Sequence, residues 1–396
     1  MKRHHWRQDL CNVLILTGGL CLTLPATGAG LNWQGAIGIG YDSNAFRSPD
    51  RPYQDLAQSG TPLITPVVRS GTFIPVEFHA TLENSRPSST LGTFYDLQGR
   101  FFVDSSLEPA NEYHNVLGIT AEHRAGKTRR PRRRLTATLF VSDLQRTYVD
   151  RDTGEEKVSG TSATDISNRY RYQSTGLKSA LRQRLGRRIT VTVSGLFEKR
   201  DYDDPQVVSE YDHQYLRLGG RLDYRINRKH LIGVRYDRWR RDYSDRHSRD
   251  LQGALLNTNP LLRYDYHAAE IRWQSSLRRR WRATINTAWT RRMDNFLGYN
   301  DFDKFQVRLQ LRHALPQRRR LDTVVKWWRR DYPNAFAFNT PVAEKRTADA
   351  VEFSVKFTHR LTGAMDMFGQ WRSIRYHTND LRYQYERHTL SAGLKW

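Results

Sequence analysis

The sequence predicts an all-β fold: a transmembrane, antiparallel, up-and-down β-barrel of about 16 strands (roughly 14 to 18), preceded by a cleaved signal peptide. Three observations predict it. Apolar and polar residues alternate with a period of two, the connections between these segments alternate between short and long, and only 38% of the 396 residues are hydrophobic. Such alternation gives each strand one apolar and one polar face, and only a closed barrel lets strands cross lipid without unpaired backbone groups.

The first 28 residues have the composition of a secretory signal peptide. Three of the first seven residues are basic, an apolar stretch runs from Leu10 to Leu24, and small residues follow around Gly28. The apolar stretch is shorter than the ~20 residues of a membrane-spanning helix. We therefore expect export and cleavage near Gly28, with loss of both cysteines, Cys11 and Cys21. The mature chain then has no disulfide and no cysteine-ligated metal.

Residues 29–396 are expected to form a single barrel domain with long extracellular loops. In the segment 188–200, for example, Ile189, Val191 and Val193 alternate with threonine and serine. The predicted strands are 32–46, 72–84, 90–104, 112–124, 134–148, 168–185, 188–200, 211–226, 229–243, 262–278, 281–293, 300–315, 319–331, 347–361, 364–377 and 382–396.

The predicted connections alternate in length. Short turns such as Gly186-Arg187 and Thr362-Gly363 follow even-numbered strands, whereas the connections after odd-numbered strands are mostly longer and polar. Short turns at one rim and long loops at the other are typical of barrels in the outer membrane of Gram-negative bacteria. The two longest loops, 47–71 and 149–167, either fold inward and narrow the lumen or remain solvated outside the cell.

The same alternation predicts which side chains face the lumen, since those opposite the apolar positions point inward. The predicted pore-lining basic residues are Arg100, Lys178, Arg182, Arg217, Arg221, Arg272, Arg308, Arg312, Lys326, Lys356 and Arg372. Trp239 and Trp328 share the inward parity and are candidates for stacking on sugar rings. Rings of arginine and lysine favour anionic permeants. Inward arginines next to acidic residues have a second interpretation, as ion-pair ladders that hold the barrel in shape.

Aromatic residues near the predicted strand ends are expected to form interfacial girdles. Those near the periplasmic ends are Trp33, Trp281 and Trp396, and those near the outer ends are Tyr148, Tyr243, Trp289 and Tyr376.

The formal net charge of +23 would by itself suggest nucleic-acid binding. An exported barrel does not meet nucleic acid, so we expect no such partner. The sequence contains no metal-spaced histidine pair, P-loop or Gly-x-Ser-x-Gly elbow. No catalytic residue, metal or cofactor is therefore expected, and the protein is not expected to be an enzyme.

Two local sequences carry a resemblance to known families. The segment Gly38–Arg47, with its glycines followed by Tyr-Asp-Ser-Asn-Ala-Phe-Arg, resembles the opening strand of the β-barrel porin type 2 group. That resemblance implies an outer-membrane protein linked to exopolysaccharide export. A similar Tyr-Asp-Ser-Asn strand opens the barrel of surface lipoprotein assembly modifiers. The last strand ends with Leu394 and Trp396 on one face, which resembles the terminal aromatic signal read by the barrel-assembly machinery.

Together these observations predict an outer-membrane channel with a basic lumen that passes an anionic saccharide or exopolysaccharide within a polysaccharide export system. Two alternatives stay open: a loop-plugged structural, assembly or adhesion barrel, and a general diffusion porin for small anions. The expected partners are outer-membrane lipid and lipopolysaccharide, the barrel-assembly machinery, the anionic solute or polysaccharide, and periplasmic export proteins. These export proteins are expected to be separate chains, because only a few residues lie between the expected cleavage site and Trp33.

Overall fold

The computed structural model describes residues 29–57, 59–126, 132–158, 164–203 and 211–396. Within these ranges, sixteen antiparallel strands form one closed barrel in which every strand pairs with its neighbours in the sequence and the last strand pairs with the first. The predicted fold is therefore confirmed. The signal peptide predicted for residues 1–28 lies outside the described ranges and stays a prediction. No helix in the described part of the chain is long and apolar enough to cross a membrane.

The strands are β1 (Ala29–Asp42), β2 (Gly71–Ser85), β3 (Ser89–Phe102), β4 (Glu112–Ala125), β5 (Arg133–Arg146), β6 (Tyr172–Leu185), β7 (Ile189–Tyr202), β8 (His213–Arg225), β9 (His230–His247), β10 (Leu261–Arg278), β11 (Trp281–Asp294), β12 (Phe302–Leu315), β13 (Arg319–Phe336), β14 (Lys345–Arg360), β15 (Asp366–Thr378) and β16 (Tyr385–Lys395). Three short 3₁₀ turns lie in the connections, at Ser105–Ala110, Ala337–Asn339 and Leu381–Tyr383.

Each predicted strand overlaps an observed one, and the differences lie at the ends. β1 stops at Asp42 instead of residue 46, because the chain turns inward at Asn44. β13 continues to Phe336 through an irregular register after Asp331. Pro333 lies in this irregular stretch, and a proline has no N–H to donate to a regular ladder.

The two faces of the barrel wall differ sharply. Large apolar side chains on one face are open to the surroundings, with Leu218 60% and Ile271 59% exposed. The opposite face carries most of the charged side chains and points into the lumen. The described connections after odd-numbered strands lie at one end, called here the long-loop rim, and those after even-numbered strands lie at the short-turn rim.

The expected aromatic girdles are only partly outward. Trp33, Trp281 and Trp289 are on the exposed outward face. Tyr243 and Tyr376 are instead on the inward face, opposite His213 and Tyr385 in the register. Tyr148 likewise lines a cavity inside the barrel. The prediction was wrong for these three tyrosines because it used only their position near a strand end and not the side of the wall on which they lie.

The barrel closes along a short seam between β1 and β16. The register of this seam runs from the pair Ala36–Lys395 to the pair Asp42–Thr389. Gly38 and Gly393 stand opposite each other, and a Cβ on either would collide with the backbone of the other strand.

Trp396 extends the seam beyond that register. Gly35 N donates to Trp396 O at 3.1 Å and Trp396 N donates to Gly35 O at 3.0 Å. The Trp396 ring also meets the Trp33 ring edge-on, with centroids 6.3 Å apart. Leu394 and Trp396 are both on the outward face. Their recognition by the assembly machinery stays a prediction.

We predict that Gly38→Val weakens barrel closure by about 1–3 kcal/mol, the usual cost of forcing a side chain into a packed site. The measurement is the fraction of protein that migrates as a folded barrel on a semi-native gel after refolding. Gly369→Val on β15 is the matched control, because nothing lies within 4 Å of a Cβ there. Equal folded fractions for the two variants would contradict this role of the seam.

Candidate functional site in the barrel lumen

All eleven predicted pore-lining basic residues lie on the inward face. The register links them through directly opposite partners: Arg308 faces Lys326, and Lys326 faces Glu352 on the next strand. On the other side of the barrel, Arg182 faces Thr192, and Thr192 faces Arg221. What these side chains do in the lumen depends on which of them have a carboxylate partner.

Five of the eleven are neutralised by ion pairs. These pairs agree with the interpretation of inward arginines as ion-pair ladders that hold the barrel in shape. The pairs are Arg100–Asp42, Arg217–Asp237, Arg221–Asp223, Arg312–Asp322 and Arg372–Glu352. These residues hold neighbouring strands and carboxylates in place and contribute little net charge to the lumen.

The other six have no carboxylate within ion-pair distance in the described part of the chain: Lys178, Arg182, Arg272, Arg308, Lys326 and Lys356. Two of them lie over aromatic rings, with Lys178 Nζ 4.5 Å from the Phe140 centroid and Lys356 Nζ 4.7 Å from the Phe368 centroid. Arg272 donates to the Gln274 side chain at 2.8 Å.

Four cations on β12 and β13 form two consecutive like-charged pairs. Lys304 stands directly opposite Arg330, and Arg308 stands directly opposite Lys326. We call these four residues the basic ladder. None of them forms an ion pair among the described residues: Glu352 faces Lys326 in the register, but its carboxylate pairs with Arg372. The Nε atoms of Arg308 and Arg330 are buried without a hydrogen bond. Like charges directly opposite each other destabilise a sheet, so this arrangement opposes folding unless an anion balances it.

Trp328 lies in the middle of the basic ladder, opposite Gln306 and between the two cation pairs. Lys304 Nζ is 4.7 Å and the Arg330 guanidinium carbon 5.2 Å from the centre of its ring. Among the described residues, the aromatic ring next to it is that of Tyr376, which is tilted at 59° and is not stacked. The face of an indole framed by cations suits a ring-shaped ligand that carries negative charge.

Trp239, the other predicted stacking residue, has a different environment. It stacks on Tyr266 with centroids 4.8 Å apart and planes 11° apart, and Arg217 lies 5.5 Å from its ring. One face is therefore covered within the protein. Trp239 belongs to a band of packed lumen rings, which includes His213, Tyr243, Tyr264, Tyr266, Phe302 and Tyr332.

Guanidinium groups are inserted into this aromatic band. Arg292 lies 4.4 Å from the Tyr264 ring and 4.5 Å from the Phe302 ring, and Arg346 lies 4.0 Å from the Tyr332 ring. Sequence reasoning omitted these two arginines, and also Lys304 and Arg330. The alternation that selected Arg308 and Lys326 includes Lys304 and Arg330 as well, so a complete parity count would have found them.

The connection 43–70 folds into the lumen from the long-loop rim. Its first part is anchored at Asp42, which is fully buried and accepts from Arg387 Nη2 at 2.6 Å and from Arg100. Asn44 ties the following turn: its side chain donates to Ser48 O at 2.9 Å and accepts from Ser48 N at 2.8 Å. The Tyr-Asp-Ser-Asn motif therefore fastens the loop to the inner wall.

Two residues of this loop then contact the lumen. Phe46 packs against the inward rings of Phe73 and Phe102. Arg47 has a φ of 58° and lines a lumen cavity without a recorded carboxylate partner in the described ranges. Burial, and then repulsion from Arg387, lower the pKa of Arg47 to about 10.

The second long loop packs against the first. Tyr53 donates its hydroxyl to Asp152 Oδ2 at 2.8 Å, and Val67 N donates to Asp152 O at 2.7 Å. Burial, and then the hydrogen bond to Asp152, raise the pKa of the Tyr53 hydroxyl, so it remains a donor. The described residues of the two loops therefore pack together inside the rim, which is the inward-folding alternative of the two that the sequence left open.

A cavity of about 760 Å³ lies between these loops and the wall formed by β2 to β5, β15 and β16. Its lining is rich in guanidinium and phenol groups, including Arg47, Arg146, Arg151, Arg382, Tyr148 and Tyr170. No group of three or more metal-ligating side chains occurs in the part of the chain that the structure describes.

A scan against protein-family models and a search of curated proteins gave no match. One similar solved structure is a triple mutant of the Rhodopseudomonas blastica porin, with 13% sequence identity and a TM-score of 0.37. The match covers 93% of this chain and 99% of the porin chain. A loop-deletion mutant of OmpT, an outer membrane protein of Vibrio cholerae, is 7% identical over 93% and 100% of the two chains, with a TM-score of 0.46.

A third similar structure is a bacterial polysaccharide outer membrane secretin, at 8% identity over 91% and 96% of the two chains and a TM-score of 0.44. With all three TM-scores below 0.5, these likenesses carry no argument about what this chain binds or conducts.

We predict that Asp42→Asn releases the connection 43–70 from the wall. The change leaves Arg100 and Arg387 without their shared countercharge, and breaking such a buried pair costs about 3 kcal/mol or more. Tryptic cleavage of the Arg47–Ser48 bond, followed by mass spectrometry on the folded barrel, should accelerate on the order of 100-fold.

Asp201→Asn is the control for this experiment. Asp201 pairs with Lys199 at 2.8 Å, and more than half of each side chain is exposed. An exposed pair of this kind contributes little to stability, so cleavage should be unchanged. Equal rates in the two variants would show that Asp42 does not hold the loop.

Proposed function

We propose that this protein is an outer-membrane channel whose basic lumen passes an acidic saccharide, as part of a polysaccharide export system. The membrane setting is supported by the outward face, where large apolar side chains are exposed along most of the strands. An apolar surface of this extent is unfavourable in water and is stabilised by burial in hydrocarbon. The long-loop rim then faces the exterior and the short-turn rim the periplasm.

The basic ladder is the single observation that carries the saccharide proposal. On two adjacent strands of the inner wall lie four cations that form no ion pair among the described residues, and two of them, Lys304 and Arg330, lie over the ring of Trp328. Sugars present C–H faces that pack on aromatic rings, and an acidic sugar adds a carboxylate or sulfate that cations bind. A ligand with both features would offset the repulsion between Lys304 and Arg330 and between Arg308 and Lys326.

A second candidate function is a loop-plugged barrel that serves as an assembly or adhesion platform. The observation that favours it is the packing of the two long loops against each other and against Asp42, Phe73 and Phe102. Conductance in planar bilayers separates the two functions: a channel shows discrete openings, and a plugged platform shows none.

We predict anion selectivity, and we predict that the variant R308Q/K326Q reduces it. The ratio of anion to cation permeability is measured from reversal potentials in a salt gradient. In the variant it should fall about fivefold, which corresponds to ~1 kcal/mol of lost attraction for anions. The control K199Q/R329Q removes two cations from ion pairs on the outward face. Its selectivity should match that of the wild type, and a cation-selective wild type would refute the basic-lumen argument.

We predict that Trp328→Ala weakens block of the channel current by an oligouronate by up to about tenfold, the equivalent of ~1.4 kcal/mol of ring contact. Trp327→Ala is the matched control, because Trp327 is the adjacent residue and is 38% exposed on the outward face. A neutral oligosaccharide of the same length should block more weakly than the oligouronate. A channel that conducts chloride but is not blocked by any saccharide would instead be a general porin for small anions.

A further inference from the structure

Three arginines surround a single carboxylate on the outward face of the barrel, near the long-loop rim. Arg238 and Arg240 of β9 approach Asp265 Oδ1 at 3.7 and 3.5 Å, and Arg263 of β10 approaches Asp265 Oδ2 at 3.5 Å. All three guanidinium side chains are about half exposed, whereas Asp265 is mostly covered. We call Arg238, Arg240 and Arg263 the outer arginine cluster.

None of these pairs is tight. Charge-assisted N–H···O bonds are normally about 2.7–2.9 Å long, and all three distances here exceed that range. Asp242 stands opposite Arg263 in the register, yet it forms no ion pair with the cluster among the described residues. Arg263 Nε is buried without a hydrogen bond. One carboxylate therefore leaves most of the positive charge of the cluster uncompensated.

The cluster lies directly above an aromatic row. Tyr236, Ala269, Trp289 and Phe305 are consecutive register partners on the outward face of β9 to β12. One side chain further toward the long-loop rim, the corresponding row is Arg238, His267, Arg291 and Asp303. The two rows are only about 7 Å apart along the strands.

This order fixes the level of the cluster relative to lipid. The next row below the aromatic row is mostly apolar on the outward face: Val234, Ile271 and Val307 lie in it together with Thr287. Aromatic girdles occur at the boundary between hydrocarbon and headgroups. The outer arginine cluster is therefore at headgroup depth, where the negatively charged groups of membrane lipids are phosphates. Arg291 is exposed in the same row, where Asp303 stands opposite it in the register.

We propose that the outer arginine cluster binds phosphate groups of lipopolysaccharide in the outer leaflet. A guanidinium presents parallel N–H donors that match the spacing of phosphate oxygens, and three of them converge here on one small area. The phosphate would take the place that Asp265 fills only loosely. This assignment rests on the membrane placement in the proposed function, and it is independent of what passes through the lumen.

The test uses the full mature chain, folded in detergent and titrated with diphosphorylated lipid A while native mass spectrometry counts bound lipid. The variant R238Q/R240Q should bind at least about tenfold more weakly than the wild type, since a hydrogen bond to a charged group is worth about 1.5–3 kcal/mol. The control K199Q/R329Q also loses two outward cations from the same rim, but each comes from a one-to-one ion pair. Its affinity should stay within about twofold of the wild type.

Two further arms identify the source of the phosphate. Dephosphorylated lipid A should bind the wild type and R238Q/R240Q equally and weakly, and inorganic phosphate at the same concentration should not compete. Unchanged affinity of R238Q/R240Q, or equal binding of the two lipids to the wild type, would overturn the proposal. Competition by inorganic phosphate at that concentration would overturn the lipid assignment, because it indicates a free-anion site.

Neither arm depends on a variant that fails to fold, because the comparison of the two lipids uses the wild type alone. The variant R238K/R240K, which keeps the charge, should retain most of the affinity. If lipid A binding does not depend on the cluster but the channel is anion-selective and blocked by saccharide, the lipid site is refuted and the proposed function stands. If the barrel does not conduct but binds lipid A through the cluster, the proposed function is refuted and the lipid site stands.

Discussion

The ring of backbone hydrogen bonds is the constraint on which the rest of this structure depends. A sheet with an apolar outer face needs every N–H and C=O group paired, and a barrel achieves this only if its first and last strands meet. In this chain they meet along a short register where Gly38 and Gly393 allow close approach and Trp396 extends the pairing to Gly35. Closure also fixes parity around the whole ring, so one register decides which side chains face inward on every strand.

The alternation of inward and outward side chains has an electrostatic consequence. Most charged side chains lie on the inward face, because the outward face contacts hydrocarbon over most of its height. Part of this charge is balanced locally, as in the Arg312–Asp322 pair, and these pairs support the wall. The basic ladder is not balanced, and the protein tolerates its repulsion beside Trp328. An unfavourable local interaction that the fold does not require, such as this repulsion between like charges, is typical of a functional site. The outer arginine cluster has the same character on the opposite face, where the partner that we propose is a lipid phosphate.

The opening motif has a structural explanation that its resemblance to a family did not supply. Asp42 is the last residue of β1 and faces inward, so it can bind Arg387 across the seam and Arg100 from β3. Asn44 then closes the turn that directs Phe46 onto the wall. The motif therefore joins barrel closure to loop placement: the residues that start the ring also hold the loop that narrows it.

The sequence predicts the fold class, a strand number of about 16 and the face of each strand, because alternation with a period of two is the same whatever the register between strands. It placed all eleven basic residues inward for the same reason. Which of those cations are paired is decided by contacts that only the folded barrel makes, such as that of Arg100 on β3 with Asp42 on β1. The docking of the two long loops was also decided at this level, because it depends on contacts between distant segments that no local pattern encodes.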